Sequence, residues 1–295
     1  MRFNFLVKRN LLAAICITAL LAACKKDDSD NTETSGIGRP VTANSSAYVT
    51  QLFSYNPAPG QLINTAAGNQ DAAKTVLNGN QGLVTLGAFG GSLVVGFDHT
   101  VVNRDNQDDF VVYNNASTGF AEPGVVWVMA DDNRNGQPDD TWYELAGAAQ
   151  SLPGYSRNYA ITYTRPATAT ADVQWTDNRG NKGAVKTNTY HQQAYYPDFI
   201  TANTYTLTGT LLPSSTINDT NPAYITSNGF TFGYADSTPG GDKLDITNAI
   251  DVQGNKVALK GIDFVKIQTG IAYNLGWLGE LSTEVKGVAD LSLVK

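Results

Sequence analysis

The chain of 295 residues carries 20 Lys and Arg against 27 Asp and Glu, a formal net charge of −7, so no general basic field is available to attract nucleic acid or anionic lipid. Its two cysteines, Cys16 and Cys24, both fall within the first two dozen positions, which excludes a disulfide framework and thiol catalysis in the remainder. Stability must come from an ordinary apolar core, and the length is ample for one large domain or two small ones.

In chain order, Arg2, Lys8 and Arg9 precede an apolar run from Leu11 to Leu20 that closes on Leu21-Ala22-Ala23-Cys24. That run is too short for a spanning helix and ends on small residues, the pattern of a bacterial lipoprotein signal cut before Cys24. The expected organisation is a signal peptide over 1–23, a flexible tether over 24–45 and a folded domain over 46–295. Cys24 would carry the acyl chains, at about 0.8 kcal/mol per buried CH₂, so the membrane is met only through the lipid anchor. Loss of Arg2, Lys8 and Arg9 leaves 17 basic and 27 acidic residues, and a more acidic mature chain. The tether reading rests on Asp27, Asp28, Asp30, Glu33, Ser35, Gly36 and Gly38, a composition too polar to offset ordering entropy.

Beyond residue 46, short β-branched and aromatic runs alternate with Gly, Asn, Asp and Pro. Strands are predicted over 82–88, 92–98, 109–114, 124–130, 141–146, 159–164, 171–176, 203–211, 229–234 and 262–269. This spacing points to an all-β, single-domain β-sandwich, jelly-roll-like in type. The stretch from Ala66 to Leu77 predicts one short helix, weakened by Gly68 and Asn69.

The sharpest local motif is Asp131-Asp132-Asn133-Arg134-Asn135-Gly136-Gln137-Pro138-Asp139-Asp140. Asp131, Asn133, Asn135 and Asp139 fall at alternating ligand positions of a calcium loop around Gly136, with Gln137 offering its carbonyl and Asp140 or Glu144 a late oxygen. Trp142 stands where an EF-hand needs its bidentate acid, so the loop is not an EF-hand; calcium in another loop type and a plain polar turn both remain open. The two histidines, His99 and His191, are too few for zinc. Around His191, however, Tyr190, Gln192, Gln193, Tyr195, Tyr196 and Phe199 mix flat apolar faces with amide groups. Such a mixture suits a planar or sugar-like ligand, with Trp277 as a second aromatic contact. His191 could also meet a metal-centred ligand.

No nucleophile elbow, Walker loop, zincin motif or dinucleotide fingerprint occurs, and the expectation is a binding protein with no catalytic residue. Acid pairs such as Asp108 with Asp109, Asp131 with Asp132 and Glu280 with Glu284 keep a polysaccharide hydrolase open as an alternative.

Several words of the sequence carry a resemblance. They are Asn56-Pro57-Ala58-Pro59-Gly60-Gln61, Leu86-Gly87-Ala88-Phe89-Gly90-Gly91, Val95-Gly96-Phe97-Asp98-His99 and Glu122-Pro123-Gly124-Val125-Val126-Trp127-Val128-Met129. Pro138-Asp139-Asp140-Thr141-Trp142-Tyr143-Glu144-Leu145, Gly261-Ile262-Asp263-Phe264-Val265-Lys266 and Gly279-Glu280-Leu281-Ser282-Thr283-Glu284-Val285 follow in order. Together they resemble a family of Bacteroidota surface lipoproteins usually named only as cell surface proteins. Lys25-Lys26-Asp27-Asp28-Ser29-Asp30 is similar to the export signal of surface-exposed lipoproteins in the same bacteria. The resemblance implies a secreted β-sandwich at the outer membrane that binds a nutrient, with a corrinoid as first ligand and a TonB-dependent transporter as partner. A calcium-dependent glycan-binding module, a hydrolase and a structural accessory subunit of a transporter are the alternatives.

Overall fold

The computed structural model describes residues 38–295; the expected signal peptide, the lipidation at Cys24 and most of the expected tether lie outside the described residues. The first half contains β1 (Gln51–Asn56), α1 (Gln70–Lys74), β2 (Val84–Thr85), β3 (Ser92–Val102), β4 (Phe110–Tyr113), β5 (Gly124–Met129) and β6 (Tyr143–Leu145). Next come β7 (Ser156–Thr164), β8 (Val173–Asp177), β9 (Lys182–Val185), β10 (Thr204–Leu211), β11 (Ile217–Asn218), β12 (Thr226–Ser227) and β13 (Tyr234–Ala235). The C-terminal part adds β14 (Asp242–Leu244), β15 (Ala249–Ile250), β16 (Gly261–Thr269), β17 (Glu284–Val285) and β18 (Gly287–Asp290).

The expected all-β, sandwich-like fold is what forms. A seven-stranded sheet runs β1-β3-β16-β5-β6-β15, with β13 paired to β5, and every pairing in it is antiparallel. Separate sheets of order β14-β4-β18 and β10-β7-β8-β9 lie over it, and β17 pairs with β2 in a short ribbon. Alternation along β5 explains the layering. Val126 and Val128 join the core formed with Leu93, Val95, Val265, Phe110 and Val288, whereas Val125 and the half-buried Trp127 join a second cluster with Leu212, Tyr234 and Leu281. A third cluster lies beneath β7 and β8, where Tyr159, Ile161, Tyr163 and Val173 pack with Phe89. Gln268 joins two sheets by donating from Nε2 to the carbonyls of Gly90 and Thr208, 3.0 Å each.

β5 and β16 run side by side, Met129 opposite Phe264 and Gly124 opposite Thr269. At one end the Asp131 N–H donates to Asp263 Oδ2 at 2.8 Å. At the other, Thr283 Oγ1 donates to the carbonyl of Glu122 at 2.8 Å, and the Thr283 N–H donates to Thr269 Oγ1 at 3.2 Å.

Three expectations need correction. Residues 38–45 are not free tether at their start: the Arg39 N–H donates to Thr100 Oγ1 at 2.7 Å, the Thr100 N–H donates to the Arg39 carbonyl, and the Arg39 guanidinium pairs with Asp263. The predicted strand 229–234 yields only its last residue, because Ser237 Oγ bonds the Phe230 backbone and Gly233 turns to φ 90°. The helix shrinks from 66–77 to Gln70–Lys74. Asn69 caps its start, accepting from the N–H groups of Asp71 and Ala72. Among the described residues no helix is long and apolar enough to cross a membrane.

Candidate functional site

The aromatic loop divides. Tyr195 and Tyr196 are core residues, fully or almost fully buried with Phe89, Tyr159 and Tyr163, and Tyr196 meets Tyr205 edge-on at 5.3 Å. Their ring faces are spent on packing, which corrects the expectation that they contact ligand. Tyr190 and Gln192 are exposed and His191 is half-buried, while Trp277 stands 47% exposed on a 3₁₀ turn. His99 is structural. It is buried between Asp98, 2.7 Å from Nδ1, and Asp290, 2.9 Å from Nε2.

In the 131–140 loop, Asp131 accepts the N–H groups of Asn135 and Gly136 at 3.0 Å each. The Asn133 and Asn135 amide nitrogens both donate to Asp139, the Asp132 N–H donates to Asp140, and Gln137 is exposed. The turn is closed by its own amides, and its acids do not converge on a point.

The acids that do converge lie elsewhere. Among the described residues, Glu122, Asp236 and Glu284 form the one group of three His, Cys, Asp or Glu side chains whose ligand atoms all lie within 4.8 Å of one another. The backbone brings them together. Glu122 stands two residues before β5, Asp236 immediately follows its partner β13, and Glu284 opens β17. The Glu122 N–H donates to the Asp236 carbonyl at 2.9 Å, the Glu284 N–H donates to Asp236 Oδ2 at 2.8 Å, and the Ser282 N–H donates to Glu122 Oε1 at 2.9 Å. Asp236 adopts φ 51°, a left-handed conformation that Asp tolerates better than most residues.

None of these acids takes part in any ion pair among the described residues. Burial first, and then the neighbouring Glu284 carboxylate, hold Glu122 and Asp236 well above the usual carboxylate range. Glu284 lies beside Glu122, and burial raises its carboxyl as well.

A cavity of about 220 Å³ opens beside the cluster, lined by Glu122, Glu280, Ser282 and Glu284 on its polar side and by Phe120, Leu275 and Leu278 on its apolar side. Glu280 is 3% exposed, and burial pushes its carboxyl up to about 8. Two exposed aromatic residues adjoin this lining: Tyr224 meets Phe120 edge-on at 6.0 Å, and Trp277, next to Leu278 in the chain, donates from Nε1 to the carbonyl of Ala223 at 3.2 Å.

Gln61 gathers the surrounding loops. Its N–H donates to Glu280 Oε1 at 2.8 Å, its Nε2 donates to the Leu278 carbonyl, and its Oε1 accepts from Asn188 Nδ2 at 2.9 Å. Asn188 Oδ1 in turn accepts the N–H groups of Tyr190 and His191, 2.9 Å each. The exposed residues of the two predicted aromatic segments are therefore tied to one cavity wall. Sequence reasoning singled out Glu280 and Glu284 only as one acid pair among several and missed Glu122, Asp236 and Gln61. Their presence within the words of the family resemblance was the available signal for Glu122 and Gln61. The chain matches no protein-family model and no curated protein.

Proposed function

We propose that this chain is a lipid-anchored outer-membrane surface protein that captures a nutrient ligand without chemical turnover, and that the ligand enters the cavity beside Glu122, Glu280 and Glu284. The observation that carries this reading is the pairing of a carboxylate-rich wall with Phe120 in the cavity lining and the exposed Tyr224 and Trp277 close by. Carboxylates accept from hydroxyl groups while flat rings cover the apolar face of a pyranose, so a glycan end is the ligand this chemistry favours.

A corrinoid is the second reading. It is supported by the family resemblance and by His191, whose ring nitrogens make no hydrogen bond with any described residue and whose loop is tied to the cavity wall through Asn188 and Gln61. A corrin is too large for 220 Å³ and would lie across the rim, with His191 as a candidate axial ligand. Delivery to a TonB-dependent transporter rests on the same resemblance.

The test is a glycan array probed with the detergent-solubilised full chain, followed by calorimetric titration with the best glycan and with cyanocobalamin. Saturable glycan binding that Trp277→Ala weakens supports the first reading. Cyanocobalamin binding that His191→Ala weakens supports the second. Absence of binding to either class refutes nutrient capture.

A further inference from the structure

We propose that Glu122, Asp236 and Glu284, with Glu280 on the adjoining wall, hold a divalent cation of the calcium class. This goes beyond the ligand reading and stands whether or not the cavity takes a glycan.

Convergence of the three acids is the first observation, and by itself it would describe only a buried acidic patch. Unmet bonding capacity is the second. Asp236 is fully buried and its Oδ1 has no hydrogen-bond partner; Glu280 is 97% buried by the same measure, lines the cavity, and its Oε2 has none. A buried carboxylate oxygen without a partner forfeits its hydration with nothing in return, and such atoms are rare in folded proteins. The first belongs to the three-acid cluster and the second to the wall of the adjoining cavity, and together they leave a request for positive charge open. No Lys, Arg or His meets it, since every ion pair among the described residues lies elsewhere. By contrast, the buried Asp263 has Arg39, and Asp290 has His99.

The donor set selects the ion. All nearby donors are oxygen: the three converging carboxylates and Glu280 on the adjoining wall, with the hydroxyls of Thr85 and Ser282 and the amide of Asn115 beside Glu284. With no imidazole or thiolate in the cluster, zinc and copper are disfavoured and a hard cation is favoured. Calcium fits better than magnesium, because the carboxylates come from three separate strand ends in an irregular array and the open cavity leaves room for water or ligand hydroxyls to complete a larger shell. The 131–140 loop is the competing location, yet its Asn133 and Asn135 point amide nitrogens at Asp139, where a cation site needs oxygens.

Calorimetric titration of the full chain with calcium chloride after removal of metal by EDTA and dialysis decides the matter. Four proteins are compared: the unaltered chain, Asp236→Asn, Glu284→Gln and the loop double variant Asp131→Asn/Asp139→Asn. Asn tolerates the left-handed backbone at position 236, so that variant preserves the turn. The expected result is a calcium site in the unaltered chain and the loop variant, weakened at least tenfold by Asp236→Asn and by Glu284→Gln. Should either cluster variant fail to fold, Glu280→Gln takes its place, with the same expected loss. Unchanged binding in the cluster variants, loss in the loop variant with retention in the cluster variants, or no calcium binding by the unaltered chain would each overturn the proposal.

Discussion

Arg39 offers the most direct test of where the folded body begins. Asp263 is 1% exposed and accepts four hydrogen bonds: from Arg39 Nε at 3.2 Å and Nη2 at 3.1 Å, from Thr100 Oγ1 at 2.7 Å and from the Asp131 N–H at 2.8 Å. Arg39→Ala removes two of the four and the only countercharge. Breaking a fully buried ion pair costs about 3–5 kcal/mol, but the Arg39 side chain is 30% exposed and two donors remain, which lowers the expected loss to about 2 kcal/mol. For a domain of this size that is a fall in Tm of about 4–8 °C. Deleting the chain up to residue 45 should cost more, because it also removes the bonds between the Arg39 and Thr100 backbones. Urea unfolding of Arg39→Ala, Asp263→Asn and the double variant measures the effect, and the double variant should lose at least about 1 kcal/mol less than the two single losses added together. A change within about 0.5 kcal/mol for Arg39→Ala, or strict additivity, would show that the pair does not anchor this segment.

His99 should make stability depend on pH. Burial pulls its pKa down, but hydrogen bonds to Asp290 and Asp98 outweigh burial and the net shift is upward. A raised folded value means this stabilisation is complete below the unfolded value of about 6.5 and is lost as pH rises through the folded value. Urea midpoints between pH 5.5 and 9 should therefore fall across that window, and His99→Gln should flatten the fall; parallel curves would contradict the assignment. Tyr195→Ala should cost about 3–5 kcal/mol as a core truncation, whereas Trp277→Ala should leave stability within about 0.5 kcal/mol while weakening the ligand about tenfold. Similar unfolding midpoints for the two would reverse this division of the aromatic residues. Gln61→Ala removes the bridge between the 188–193 loop and the 276–280 turn, at about 1–2 kcal/mol, and should raise amide hydrogen exchange in both segments. Unchanged protection there would deny Gln61 its bridging role.

Long, strongly patterned strands were legible in the sequence, and short ones were not. The runs predicted over 92–98, 124–130, 203–211 and 262–269 correspond to β3, β5, β10 and β16, where β-branched residues recur over six or more positions. β15 and β17 are two residues each, exist only through pairing with distant partners, and leave no periodic trace. The alternating aromatics of 229–234 read as a strand, but left-handed Gly233 and the Ser237 hydroxyl override the pattern. The candidate site was the least legible part. Glu122, Asp236 and Glu284 are far apart in the chain and meet only because β13 pairs with β5 and β17 packs beside them. Tyr195 and Tyr196 illustrate the opposite error. Aromatic residues in a loop read equally well as contact surface or as core, and their burial beneath β7 and β8 follows from tertiary packing that the local sequence does not encode.

The placement of Arg39 relative to β5 and β16 has a mechanical consequence. The chain enters the body beside Asp263 and Asp131, while the acid-lined cavity lies at the far ends of the same two strands, at most about 30 Å of extended chain away along Glu122 to Asp131. A pull on the chain ahead of Arg39 would therefore meet the central sheet at the end away from the cavity. Under the proposed anchoring through Cys24, the leash would join the body at that pole and the acidic cavity would sit at the opposite one.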